Sequence, residues 1–300
     1  MALILTNKYS LPDVIVNAIK NDGYTRGKSD ISVTQLITPA YQRKLMQTTD
    51  QIEDVSSRTR ALLGTAVHHI IERGAPEGSL AEQRLFVHVL GWTVSGQFDL
   101  IAAKKLYDYK VTSVYSHGSP KIEWEWQLNL LKLLASLHAS STNDDRYEVE
   151  QLSVIAIYRD FMDSRSGSAD YPVADIVEVP INVWDKQTAV AFLNERVKAH
   201  QDPDPPPCTD EERWATPETF ALMKRDRKSA IKLYESRQEA DAACEEANAG
   251  DPDNADAKKR KKPSKDHYVE VRPKSYRRCE SYCSVAHACP HYNSNPGGEF

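Results

Sequence analysis

The sequence predicts an α/β fold with a core of about 140 residues, the size of one ordinary domain. Three observations carry this. The stretch SSRTRALLGTAVHHIIERG, residues 56–74, repeats its apolar positions at helical spacing and stops at Gly74. RLFVHVLGWTVSGQFDLI and KLYDYKVTSVY then read as three strands, the first two turning around Gly91-Trp92. WEWQLNLLKLLASLH returns to an amphipathic helix, and YEVEQLSVIAIYRDF and DIVEVPINVW are extended again.

Four regions follow in order. Residues 1–55 read as a mostly helical N-terminal region: DISVTQLITPAYQRKLMQ opens on capping-type residues, and Pro39 interrupts that helix or starts a second one. The core, 56–200, closes with the helical WDKQTAVAFLNERVKAHQ, and DPDPPP ends the pattern. Residues 201–272 read as a small α+β insertion. It has two strands about the turn RDRK, a short acidic helix, SRQEADAACEEANA, and a flexible charged loop, GDPDNADAKKRKKPSKD. Residues 273–300 form a cysteine-rich end, and no internal repeat is visible.

The chain has 300 residues, 40% hydrophobic and 27% charged, which fits a globular protein. Its net charge is −5, so a nucleic-acid partner must be met by a local basic patch. The apolar ALIL near the start is too short for a signal or a membrane span, and no other run approaches that length. The expectation is a soluble cytoplasmic protein without a membrane partner. In such a compartment five cysteines point to metal ligation rather than disulfides.

The hairpin SGQFDLIAAKKLYDYKVTS holds two acidic residues and a lysine. An even-length turn centred on Ala103-Lys104 sets Ile101 against Leu106, and the same register sets Asp99 against Asp108. Directly opposed like charges destabilise a strand pair. A divalent cation that prefers oxygen ligands, Mg²⁺ or Mn²⁺, removes that penalty. Lys110 shares the face of Asp108, where it can orient a water or meet charge developing on a phosphate. The alternative is a solvated hairpin face with a weak Asp-x-Lys salt bridge. An odd-length turn would separate the aspartates.

Two further segments fit one site. His68 and Glu72 are four apart on one helix face, where both can reach a metal or its waters, or form part of a polar surface. Gln127, early on the second helix, can hold a phosphate or a ligand water, or stand as a surface amide. Trp124 and Trp126 read as packing residues.

Gly64-Thr65-x-x-His68, Gly96-x-x-Asp99, Asp108-x-Lys110 and Gln127 stand in an order that resembles the PD-(D/E)XK nucleases of the RecB-like group. That group includes nuclease domains of bacterial recombination exonucleases and the CRISPR-adaptation nucleases. The resemblance covers about residues 30–160. It implies a restriction-endonuclease-like core, a central mixed sheet flanked by helices. It also implies a metal-dependent deoxyribonuclease, an exonuclease of DNA recombination, repair or replication, in a bacterium or encoded by a phage. His68, Asp99, Asp108 and the carbonyl of Tyr109 would hold one or two Mg²⁺ or Mn²⁺ ions. Lys110 would be the catalytic lysine, and Gln127 would help hold the DNA or that lysine. The family helix often carries a tyrosine four residues after the glutamine, where this chain has Leu131. The alternative is a non-catalytic DNA-binding or interaction subunit of a recombination complex. With no Walker-type loop in the sequence, a helicase or recombinase partner would act in trans.

Cys279, Cys283 and Cys289 form a tight cluster, and thiolates this close in an intracellular chain normally share a metal. RecB-like nucleases often carry an iron–sulfur staple with a similar C-terminal triplet, whose fourth cysteine usually precedes the core. Here no cysteine precedes Cys208, which is the candidate fourth ligand of a [4Fe–4S] cluster. Structural Zn²⁺, with His287 or His291 as a possible replacement ligand, is the alternative. Cys244 reads as an ordinary thiol. Arg43, Lys44, Lys224 and Arg225 are candidate DNA contacts, as is the basic run 258–265.

Overall fold

Two tight turns fix the register of the central sheet. The structure is a computed structural model that describes residues 2–21, 27–118, 121–250 and 263–294. The chain forms two compact units, Met1–Pro206 and Pro207–Phe300. The first runs β1 (Leu3–Thr6), α1 (Asp13–Lys20), β2 (Ile31–Ser32), α2 (Val33–Leu36), α3 (Ala40–Thr48), β3 (Gln51–Asp54), α4 (Val55–Ile71), β4 (Leu80–Val89), β5 (Trp92–Ala102), β6 (Lys105–Thr112), α5 (Ile122–Thr142), β7 (Gln151–Tyr158), β8 (Ile176–Ile181) and α6 (Lys186–Gln201).

β4 and β5 turn over Leu90-Gly91, and β5 and β6 turn over Ala103-Lys104. All four turn residues have positive φ: 51°, 80°, 47° and 59°. A two-residue turn with both φ positive twists in the same sense as its strands. Ala103 and Lys104 adopt that conformation only under strain, so the strand pairs beside them hold it. Those pairs are Ala102 with Lys105, Ile101 with Leu106 and Leu100 with Tyr107.

The sheet is mixed, in the order β2-β5-β6-β7-β8, with β4 along the other edge of β5. β2 runs parallel to β5 at Val94 and Ser95, whereas β6 meets β5 only at residues 100–102. The edge of β5 between these contacts is open, and beyond Tyr107 β6 pairs with β7 alone. β6 and β7 are parallel and need a crossover, which α5 supplies. The helix lays Leu128, Leu130, Leu131 and Leu134 against Val94, Phe98, Leu106 and Val154. Burying each such leucine contributes about 1.5–3 kcal/mol. Trp124 is buried in this core and Trp126 packs on Phe192 of α6.

Gly96 is where helix and sheet come closest. A Cβ there would lie 2.5 Å from Leu131 Cδ2 and 3.0 Å from Val33 Cγ2. The missing side chain lets α5 settle on β5 three residues before Asp99. α4 is fixed at its other end by Asp54. That carboxylate accepts the N–H groups of Ser56 and Lys8 at 3.0 and 2.8 Å and the Thr6 hydroxyl at 2.8 Å. The Ser56 hydroxyl donates to it as well, and these donors hold its carboxyl below the ordinary carboxylate range.

The first 55 residues are less helical than their pattern implies. β1 and β3 pair in parallel, Leu3 with Gln51 through Thr6 with Asp54. Each is four residues long, too short for a periodicity to declare, and its partner is far off in sequence. β3 leads directly into α4 and β2 joins the central sheet, so this stretch belongs to the core unit. Pro39 precedes α3 and starts it.

The second unit has β9 (Ala215–Thr216), β10 (Thr219–Lys224), β11 (Lys232–Tyr234), α7 (Arg237–Ala249), β12 (His267–Arg272), β13 (Ser275–Tyr276), α8 (Arg277–Ser281) and α9 (Pro290–Asn293). β10 is the centre of an antiparallel sheet, β11-β10-β12. Residues 258–262 of the basic run lie outside the described residues. Among the described residues no helix is long and apolar enough to cross a membrane.

Two glycines give opposite expectations. Gly96→Ala forces Leu131 off its seat and costs about 1–3 kcal/mol. A Cβ at Gly64, inside α4, meets nothing within 4 Å. Gly64→Ala therefore stabilises by about 0.5–1 kcal/mol. Urea unfolding of the two variants measures both signs.

Candidate metal centre

The site forms where β6 leaves β5. Asp99 is the next residue on the register after Leu100 and Tyr107, opposite Asp108, just past the last paired residues. The strands part there, and the side chain of Asp99 fills the gap. Its Oδ2 accepts the Tyr109 N–H at 2.6 Å, a donor that β5 no longer satisfies. Burial, and then the charge of Asp108, push the Asp99 carboxyl up to about 7.

Asp108 is 1% exposed. Its Oδ1 accepts a hydrogen bond from Gln127 Nε2 at 3.0 Å. Lys110 Nζ lies 2.7 Å from its Oδ2, yet that buried oxygen accepts no hydrogen bond of good geometry. The contact is thus an ion pair with a lone pair left over. Burial alone would lower the Lys110 pKa, but Asp108 and Asp99 outweigh it and the net shift is upward. Gln127 therefore holds a carboxylate rather than the lysine. It can do so because Leu131, one turn later, is seated over Gly96.

His68 comes from the middle of α4. Its Nε2–H donates to the Tyr109 carbonyl at 2.8 Å, and its ring meets the Tyr109 ring edge-on at 5.7 Å. Nδ1 faces Asp99 Oδ1 at 3.6 Å and Glu82 Oε1 at 3.9 Å. Glu82 does most to raise the histidine pKa, burial opposes it, and Asp99 adds to the rise.

Glu82 is a site residue that motif order does not reveal. His68, Glu82 and Asp99 each offer one ligand atom, and these atoms lie within 4.8 Å of one another. On the β4–β5 register Ala81 faces Leu100 and Gln83 faces Phe98, so Glu82 stands against Asp99. Three adjacent strands thus carry Glu82, Asp99 and Asp108 at one level. Glu82 has φ 50°, a strained conformation for a non-glycine strand residue. Gln97 Nε2 donates to its carboxylate at 2.7 Å, and Arg84 Nη2 donates to Gln97 Oε1 at 2.7 Å. Burial pushes the Glu82 carboxyl up, but pairing with His68 and Gln97 leaves it below its ordinary value.

Three other expected residues, Glu72, Arg43 and Lys44, stand elsewhere in the first unit. Glu72 is not at the centre. It caps the C-terminus of α4, and its carboxylate pairs with His69, three residues earlier on the helix, at 3.7 Å. Arg43 lies over the Trp92 ring, 5.4 Å from its centroid, and Lys44 pairs with Asp204 at 2.6 Å. Trp92 opens β5 seven residues before Asp99, a span of about 23 Å along the strand at about 3.3 Å per residue. Lys224 and Arg225 are exposed at the end of β10 in the second unit. Cys208, Cys279, Cys283 and Cys289 all belong to that unit, and their thiols feel one another's charge. Burial pushes Cys208 up to about 12 and Cys283 up to about 11. Cys244 sits on α7, where Asn248 Nδ2 donates to its sulfur at 3.5 Å.

The donor set fits a hard divalent cation. Carboxylates, one imidazole and one carbonyl converge, one buried carboxylate oxygen is unsatisfied, and the two aspartates repel.

No family model matches the sequence, and no curated protein matches it. Among solved structures the chain is similar to SSO0001 at TM-score 0.42 and 17% identity, over 64% of this chain and 86% of that one. LHK-Exo in complex with dAMP is similar at TM-score 0.31 and 13% identity, over 57% and 85% of the two chains. A phage-related exonuclease from Haemophilus somnus 129PT is similar at TM-score 0.22 and 15% identity, over 63% and 78%.

The raised Asp99 pKa fixes a pH dependence in metal-free protein. The unfolded carboxyl titrates near 3.9, so the folded state holds an extra proton between about pH 4 and 7. The stability this contributes is complete below about pH 4 and is lost as pH rises through about 7. With a chelator present, the unfolding free energy of wild type relative to Asp99→Asn falls over that window by a few kcal/mol at most. A difference that is flat or rises with pH contradicts the assignment.

Proposed function

We propose that this chain is a divalent-metal-dependent DNA nuclease that hydrolyses phosphodiester bonds. The observation that carries the reading is the convergence of Asp99 and Asp108 at the fork of β5 and β6, with Lys110 Nζ 2.7 Å from Asp108. A Mg²⁺ or Mn²⁺ bound by Asp99, Asp108, His68 and the Tyr109 carbonyl would supply Lewis-acid stabilisation of charge developing on the phosphoryl oxygens. We extend that ligand set to Glu82.

The protein's own groups do the rest. Lys110 presents an ammonium beside the buried carboxylates, where it orients the attacking water and meets negative charge on the phosphate. Gln127 fixes the rotation of the Asp108 carboxylate. Gln97 and Arg84 do the same for Glu82. The order of motifs along the chain, which resembles RecB-like enzymes, leads us to read the activity as that of an exonuclease acting in recombination, repair or replication. Intact Asp99, Asp108 and Lys110 favour this reading over a non-catalytic DNA-binding subunit.

We also infer that the four cysteines of the second unit hold a structural metal group. Their thiols feel one another's charge. The resemblance of the C-terminal triplet to the iron–sulfur staple of RecB-like nucleases leads us to a [4Fe–4S] cluster as the occupant, with structural zinc as the alternative.

Two measurements test these readings. Purified protein with Mn²⁺ cuts end-labelled linear DNA, single- or double-stranded, and Asp108→Ala and Lys110→Ala are each slower by about 100-fold or more. Equal activity in all three proteins, or none in any, contradicts the nuclease reading. Anaerobically purified protein is brown with broad visible absorbance. A colourless sample with stoichiometric zinc contradicts the iron–sulfur choice.

A further inference from the structure

β6 ends at Thr112, two residues past Lys110, and the chain then makes a single 3-10 turn, Val114–Ser116. This turn is braced on several sides. Ser113 Oγ accepts the Tyr115 N–H at 3.4 Å, and the Ser116 hydroxyl donates to the Ser113 carbonyl at 2.8 Å. Asp160, just after β7, accepts the Val114 N–H at 2.8 Å and also the Ser113 hydroxyl. Arg159 N–H donates to the Thr112 carbonyl at 3.0 Å. His117 closes the turn, its ring edge-on to Tyr158 and its Nδ1 3.2 Å from the Tyr158 hydroxyl.

Tyr115 stands on this rigid base with 89% of its surface exposed, the highest value for a large apolar side chain among the described residues. No ring or cation packs on it among the described residues. The fold has braced the backbone and left the ring in water. An aromatic ring held this way loses little conformational freedom when a flat partner covers it.

The position gives that partner a chemical identity. Tyr115 is five positions on from Lys110, so their Cα atoms are at most about 18 Å apart at about 3.3–3.6 Å per residue. That span is a few nucleotides of extended strand, so DNA whose scissile phosphate lies at Lys110 can reach Tyr115 with a base. We propose that Tyr115 is a stacking platform for an unpaired nucleobase beside the cleaved phosphate, so that the enzyme takes DNA as a single-stranded segment. This rests on the nuclease reading of the Asp99–Asp108 centre. Stacking on an aromatic ring is tolerant of base identity and requires a base whose face is not already covered.

The test is binding of the full-length protein, with a chelator present so that no strand is cut, to a short single-stranded oligonucleotide and to a blunt duplex of the same sequence. The oligonucleotide carries 2-aminopurine, whose fluorescence falls on stacking, at successive positions. Tyr115→Ala weakens single-strand binding by about tenfold and abolishes the quenching seen at one position in wild type. Tyr115→Phe and Tyr115→Trp keep both, and duplex binding stays within about twofold for all variants, since a paired and stacked base offers no free face. Unchanged single-strand binding in Tyr115→Ala, an equal loss on both DNAs, or failure of Tyr115→Phe overturns the proposal. Quenching that depends on Tyr115 in a protein that never cuts DNA would remove the nuclease reading and leave the platform standing.

Discussion

A two-residue turn is the constraint on which the rest of the centre depends. Ala103 and Lys104 both sit at positive φ, and that geometry fixes Ile101 against Leu106. Side chains alternate along a strand, so one more residue in the turn would carry Asp108 and Lys110 to the other face. The turn thus decides that two carboxylates meet in a buried place where they repel. The fold tolerates the repulsion because other groups lean against it. The Tyr109 N–H donates to Asp99, Gln127 to Asp108, and the Lys110 ammonium lies 2.7 Å from Asp108 Oδ2.

Packing supplies the precision. Leu131 needs Gly96, and their contact sets the height of α5 on the sheet. That height places Gln127 at Asp108. α4 is fixed independently, by the Asp54 cap tied to β1, and it delivers His68 to the Tyr109 carbonyl. Two helices and three strands therefore converge on one centre, α5 held by Leu131 over Gly96 and α4 by the Asp54 cap. A centre built this way has few soft coordinates.

The sequence makes some of this legible and hides the rest, for physical reasons. The β5–β6 hairpin can be read because turn length alone sets register, and α4 and α5 because long apolar periodicity is unambiguous. β1 and β3 are too short to read, and they exist because residues 48 apart pair. Glu82 does not appear in the order of motifs, although the same register arithmetic across Leu90-Gly91 sets it against Asp99. Glu72 keeps the helical spacing from His68, its N–H bonded to the His68 carbonyl, but its carboxylate turns to His69 instead of the centre. Arg43 and Lys44 show that a positive charge in sequence says nothing of its neighbours: one lies over Trp92 and the other pairs with Asp204.

The central claim is that hairpin register creates a cation site from Asp99 and Asp108. Calorimetric titration with Mn²⁺ tests it without reference to any substrate. Wild type binds the ion, Asp99→Asn and Asp108→Asn bind it at least about tenfold more weakly, and Glu72→Gln binds it as wild type does. Equal Mn²⁺ affinity in wild type and both aspartate variants would contradict the account.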